Sequence, residues 1–127
     1  EVEANKILGW KSAPLKVEGI CVRVGTFRCH GQALTFKLNK AYDLRDVGAM
    51  LDSANDWVKL VDNDKESTLA GLSTAKVSGT MNIPVGRLRQ FSSDNSVYSA
   101  FTLGDQLLWG AAEPLRRALG IVLRHAK

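Results

Sequence analysis

Two runs, Val85 to Phe91 and Val97 to Leu103, alternate apolar and polar residues on either side of Ser92-Ser-Asp-Asn-Ser96. Alternation at period two sends each class of side chain to its own face of an extended chain. A five-residue polar loop between two such runs closes an antiparallel hairpin. This is the strongest local pairing in the chain, and any fold must be built around it. Leu34-Thr-Phe-Lys-Leu38 alternates in the same way and predicts another strand, Leu15 to Val24 reads as an extended run and a further strand, and Trp57 to Val61 is short and β-prone, followed by the turn residues Asp62-Asn-Asp-Lys65.

Helices lie between and after these runs. Glu1 to Leu8 is helix-compatible and is closed by Gly9, but no start signal precedes it. Together with a first residue that is not Met, this leads to the expectation that the chain is a segment of something longer. Asp43 can cap a helix in which Leu44, Val47, Met50 and Leu51 recur at helical spacing, ending near Asn55. Thr68 to Lys76 fits either a short helix or an irregular excursion. After Gly104, Asp105 can cap a long final helix with Leu108, Ala111, Leu115, Leu119 and Val122 on one stripe. Pro114 lies inside it, so a kink or restart is expected between Gly110 and Glu113, because proline removes an amide donor and clashes with the preceding turn. The pattern predicts an α/β fold of the α+β-like kind, a mixed β-sheet with flanking helices that ends in a long C-terminal helix.

At 127 residues and 45% hydrophobic, the chain can bury the core of one domain, and no repeat or linker divides it. The formal charge of +4 would suit an anionic partner, yet the basic residues are scattered, which argues against nucleic acid. No run approaches the ~18 apolar residues of a membrane span and no signal peptide opens the sequence, so no membrane association is expected. Two cysteines at positions 21 and 29, with no CxxC pair or His/Cys cluster, predict neither a disulfide framework nor a metal site; reduced cytoplasmic thiols are the expectation.

The chemistry is concentrated in Ile20-Cys-Val-Arg-Val-Gly-Thr-Phe-Arg-Cys-His30. Adjacent residues of a strand face opposite ways, so Cys29 and His30 cannot form a thiolate-imidazole pair while both are extended. As small side chains, Cys21 and Cys29 are expected to be half-buried core residues. Arg23 and His30 would stand over ~20 Å apart on a straight strand at ~3.3 Å per residue. A turn at Gly25-Thr26, with a bulge to correct the odd offset, would let them converge. Converged, a guanidinium that grips a carboxylate and an imidazole that titrates near neutrality are the parts of an acid-base site for a small anion. A surface arginine and a hydrogen-bonded structural histidine are the alternative.

This stretch, with Thr80 to Leu88 (TMNIPVGRL), Ala100 to Arg117 (AFTLGDQLLWGAAEPLRR) and the Asn5-Lys-Ile-Leu8 opening, resembles the C-terminal third of aspartate-semialdehyde dehydrogenases of the Gram-negative bacterial type. The resemblance runs in order over essentially the whole chain. It implies an NADP-dependent enzyme interconverting β-aspartyl phosphate and aspartate β-semialdehyde, on the route to lysine, threonine and methionine. It implies that His30 is the general acid/base, that Arg23 binds the substrate's α-carboxylate and that Gln106 contacts the nicotinamide end of the cofactor. Residues 1–104 would belong to the catalytic and dimerisation domain, and 105–127 to a helix returning to the NADP-binding domain. The family's nucleophilic cysteine matches neither Cys21 nor Cys29, and no glycine-rich phosphate loop is present. The chain is therefore expected to work only with an N-terminal portion, as part of a homodimer, and alone to be inactive, with exposed surface prone to aggregation. The alternative is a non-catalytic dimerisation or interaction module that keeps the fold. His125 is expected to be a tail residue without a role.

Overall fold

A computed structural model describes residues 2–10 and 12–126. In chain order the elements are α1 (Val2–Leu8), β1 (His30–Lys37), α2 (Leu44–Asp52), β2 (Val58–Leu60), α3 (Lys65–Gly71), α4 (Thr74–Val77), β3 (Ile83–Gln90), β4 (Val97–Gly104), a π-helical turn (Leu108–Ala112) and α5 (Glu113–His125). The four strands form one mixed sheet in the order β1-β4-β3-β2. β1 and β3 flank β4 in antiparallel fashion, and β2 runs parallel to β3. A parallel neighbour needs a crossover connection, and α3 and α4 supply it. Both are set by local chemistry, since Asp64 accepts a hydrogen bond from the Ser67 amide and Ser73 from the Lys76 amide. The stretch Thr68 to Lys76 is thus two short helices rather than one.

The hairpin forms as the alternation requires, with one correction that decides the core. Gly86 pairs with Phe101 but Arg89 pairs with Ser99, so β3 carries one residue more than β4 across this interval. The extra residue is Arg87, at φ 55°. A bulge resets the alternation of the strand that holds it. Val85 and Leu88, an odd number of positions apart, consequently share one core with Val47 of α2 and with Tyr98 and Ala100 of β4. The opposite face of β4 presents Leu103, which packs with Val77 of α4 and with Cys29. Gly86 lies beneath α3's C-terminal end, where a Cβ would come within 2.6 Å of Leu72 Cδ1 and 3.1 Å of Val61 Cβ.

α2 begins at its cap, with Asp43 Oδ1 accepting from the Arg45 amide. It stops at Asp52 rather than near Asn55, whose Oδ1 instead accepts from the amides of Trp57 and Val58 and turns the chain into β2. The final helix restarts where proline requires it. The Leu108–Ala112 turn is π-helical and Pro114 falls in the first turn of α5, where its missing N–H breaks no ladder. This run is tied down by Trp109, which meets Trp57 edge-to-face at 5.1 Å and donates from Nε1 to the Met81 carbonyl. The Arg117 guanidinium lies 4.6 Å above the Trp57 ring, and buried Glu113 accepts from both Arg116 and Arg117 at 2.7 Å.

The expected strand over Leu15 to Val24 does not form. The amide and carbonyl of Leu15 are bonded to the side chain of buried Asn5 in α1, and residues 12–27 are exposed with no strand beside them. Apolar alternation there is not matched by a neighbour for the backbone, without which a strand has no stability. Ile20, Val22, Val24 and Phe27 therefore remain exposed, as do Leu115, Leu119 and Val122 on α5. Among the described residues no helix is long and apolar enough to cross a membrane.

Two measurements test this account. Tyr98 is fully buried, and its hydroxyl donates to the Tyr42 carbonyl and accepts from the Tyr42 amide, both at 2.7 Å. Tyr98→Phe takes the acceptor from the Tyr42 amide and one of the two donors from its carbonyl, which Gln90 Nε2 also meets, and should lower the unfolding free energy by about 1–3 kcal/mol in a denaturant titration. Arg116 and Arg117 hold the Glu113 carboxyl down to about 2, against an ordinary 4.5. A depressed carboxyl contributes stability that is complete above its unfolded value and lost as pH falls through its folded one. Acid titration should show that loss between pH 4.5 and about 2, and Glu113→Gln should flatten this part of the curve.

Candidate functional site

The antiparallel register of β1 and β4 pairs His30, the first residue of one, with Gly104, the last of the other. Gln106 follows Gly104 by two positions, so two of the three residues expected to carry function emerge at the same end of the sheet. His30 is exposed there and Gln106 is half-buried. One end of the Gln106 carboxamide, Oε1, is buried and has no hydrogen-bond partner among the described residues. A buried amide oxygen without a partner is uncommon in a folded protein and sets Gln106 apart from its neighbours.

Directly before His30 the chain does something unusual. Cys29 has φ 80°, a backbone conformation that a side-chain-bearing residue rarely adopts. Its side chain turns into the second core, with Sγ 3.6 Å from the Thr74 carbonyl that it faces as a weak donor. Burial pushes the Cys29 thiol above its ordinary value, the Asp105 carboxylate adds to this, and Arg28 opposes it. A thiol held protonated is a poor nucleophile, and Cys29 is buried while His30 is exposed, so the two do not make a catalytic pair. Cys21 departs from expectation in the other direction: it is fully on the surface rather than half-buried, because the segment that carries it has no packing partner.

Arg28, one step earlier, places a guanidinium nitrogen 2.6 Å from Asp105 Oδ2. Asp105 is completely buried. The same oxygen accepts from the Gly79 amide at 2.7 Å and Oδ1 accepts from the Leu107 amide at 3.1 Å, while the Asp105 carbonyl accepts from the amides of Leu108 and Trp109. Burial alone would raise this carboxyl, but the Gly79 amide, the Arg28 guanidinium and the Leu107 amide outweigh it and hold the group below its ordinary value. Asp105 was expected as a helix cap and does cap the final helical run. That it also faces Arg28 across the sheet end was missed, since capping chemistry explains an aspartate after Gly104 without a second partner. The available signal was a strand-end aspartate and an arginine next to the candidate histidine.

Arg23 is exposed on the irregular segment before β1, and is not part of a strand. The chain does bend beyond it: the Thr26 amide donates to the Val24 carbonyl, and Thr26 Oγ1 donates to the Arg28 carbonyl. The bend does not use the left-handed freedom of Gly25, whose φ is not positive; that conformation falls on Cys29. No bulge is involved, as there is no flanking strand to carry one. An open hollow on the sheet, lined among others by Thr35, Arg87, Arg89 and Ser99, includes none of the three expected residues. Among the described residues no three His, Cys, Asp or Glu are grouped to hold a metal ion.

Residues 1–109 match the family model described as semialdehyde dehydrogenase, dimerisation domain. The solved aspartate semialdehyde dehydrogenase from Francisella tularensis is 46% identical and superposes with a TM-score of 0.89, over 94% of this chain and 33% of that one. The chain thus spans about a third of the length of that enzyme. Aspartate semialdehyde dehydrogenase II from Vibrio cholerae, complexed with ASA, matches at TM-score 0.67 and 22% identity, over 80% of this chain and 29% of that one. A probable aspartate-semialdehyde dehydrogenase from Pseudomonas aeruginosa matches at 0.62 and 20%, with the same coverage. The last two show a shared fold.

The different surroundings of the two thiols predict their reactivity. A maleimide or disulfide reagent should label Cys21 in the native protein, and Cys29 only when the chain is unfolded; equal native rates would contradict the burial of Cys29.

Proposed function

The chain belongs to the semialdehyde dehydrogenase family, through its dimerisation domain, and from that premise we propose that it is the C-terminal catalytic portion of an NADP-dependent aspartate-semialdehyde dehydrogenase. The reaction interconverts β-aspartyl phosphate, formed with phosphate, and aspartate β-semialdehyde. It takes place in amino-acid biosynthesis in the cytoplasm.

His30 moves the proton at the reacting carbonyl, for which an exposed imidazole at the sheet end is suited. Arg23 binds the substrate's α-carboxylate, the oxyanion that a guanidinium holds by two parallel hydrogen bonds. Gln106 holds the carboxamide end of the cofactor, which when bound supplies the hydride acceptor or donor. The nucleophilic thiol and the dinucleotide-binding fold come from residues outside this chain, and 105–127 connect toward them. The working enzyme is a homodimer built on this domain.

The observation that carries this reading is the pairing of His30 with Gly104, which brings His30 and Gln106 to one end of the sheet. It is supported by the 46% identity to a named aspartate semialdehyde dehydrogenase over nearly the whole chain. A second reading, a dimerisation module without chemistry, draws on the exposed apolar side chains of α5 and of residues 20–27. A stable dimer that binds neither cofactor nor a nucleotide-binding portion would favour it.

In the enzyme that contains this segment together with its nucleotide-binding portion, His30→Ala should lower kcat by ~100- to 10,000-fold. Arg23→Ala should act chiefly through the KM for aspartate semialdehyde, raising it by ~10- to 100-fold, the scale of one charged hydrogen-bonded contact. Steady-state kinetics with NADP and phosphate check both, and unchanged constants in both variants would overturn the site.

A further inference from the structure

We propose that Asp105 is a positioning residue: by binding Arg28, Gly79 and Leu107 at once, its buried carboxylate holds His30 and Gln106 in fixed relation across the end of the sheet. The inference rests on the roles assigned above to His30 and Gln106.

Three segments meet at this carboxylate. Arg28 leads into His30 through a single residue, Gly79 belongs to the turn before β3, and Leu107 follows Gln106. Gly79 itself sits at φ 76°, so its amide is presented by a backbone that a side-chain-bearing residue would strain. Between Arg28 and His30 stands Cys29, at φ 80° and with its side chain sunk in the core. A non-glycine residue keeps such a conformation only where its surroundings over-determine it, and strain of this kind gathers where a side chain must be aimed. Here the Cys29 side chain is held in the second core and the residue before it by the Arg28–Asp105 pair. Released from that pair, Cys29 could relax toward an ordinary φ, and the first residue of β1, His30, would swing with it.

The polar accounting around Asp105 points the same way. Its carboxylate is met by three donors, yet Arg28 Nε and Gln106 Oε1, on either side of it, are buried with no partner among the described residues. A buried polar atom without a partner is rare in a folded protein and marks an arrangement that is not optimised for stability alone. Asp105 touches neither substrate nor cofactor in this scheme and acts through its neighbours.

The test uses the complete enzyme, with kcat, the KM for NADP and the thermal midpoint measured for each variant. Arg28→Gln removes the hold on the loop before His30 and leaves the amide bonds of Asp105 in place. It is expected to fold, to lose about tenfold to a hundredfold in kcat, the cost of a misplacement near 1 Å, and to keep its KM for NADP within about twofold. Arg28→Lys, which keeps the charge, should recover at least about threefold of the loss. Asp105→Asn should lose kcat similarly and also raise the KM for NADP by about tenfold, as Gln106 is freed, and the Arg28→Gln/Asp105→Asn double variant should be no worse than Asp105→Asn, because the two act as one unit. If Asp105→Asn does not fold, the two Arg28 variants decide the matter. A folded Arg28→Gln enzyme with kcat within about twofold of the parent, while His30→Ala is inactive, overturns the proposal and leaves the site intact. An active His30→Ala enzyme overturns the site, and the proposal with it.

Discussion

A fully buried carboxylate at the end of β4 ties three segments of the chain together. A charged oxygen pair without water must be met by donors, and Asp105 draws them from three separate segments: the loop that enters β1, the turn that precedes β3 and the start of the final helical run. Its chain neighbours on both sides are also engaged, since Gly104 completes the sheet beside His30 and Gln106 begins the helix. Without this meeting point, the register of β1 and β4 would still bring His30 close to Gly104, but the loop and the helix on either side would be free to turn independently.

The sheet on which this rests depends on a different local event, the extra residue at Arg87. Were β3 regular, Val85 and Leu88 would point to opposite faces, and the core under α2 would lose one of its two contributions from that strand. The bulge lets one strand serve that core with both residues, while Gly86 between them leaves room for Leu72 and Val61 on the other side. Two small cores on opposite faces of β4 result, and Tyr98 closes one of them by returning its hydroxyl to the backbone of Tyr42.

Exposed apolar residues on residues 20–27 and on α5 give the domain an unfinished surface. Exposed apolar side chains suit contact with other protein, and the family to which the chain belongs is described by its dimerisation domain. The Trp57–Trp109–Arg117 cluster anchors only the first part of the helical run to the sheet, so the outer face of α5 is held in position while remaining uncovered.

How much of this could be read in the residues varies with the range of the interaction. The hairpin, the Asp43-capped helix and the restart at Pro114 depend on neighbours a few positions away, and period, caps and proline stereochemistry report these directly. The strand assigned to Leu15–Val24 failed because its alternation resembles that of a strand, whereas a strand exists only where another offers its backbone, and Asn5 had already taken Leu15. The resemblance pointed to His30, Arg23 and Gln106 as candidates, but not to the ion pair of Arg28 with Asp105: these two are far apart along the chain, and each has a sufficient local explanation. By itself, then, the sequence determined most of the elements, their caps and the residue types available for chemistry, because these follow from interactions within a turn or two. Tertiary structure alone decided which strand ends lie side by side, which residue bulges and which buried charge finds which partner, because those depend on pairings between distant segments that no local periodicity encodes.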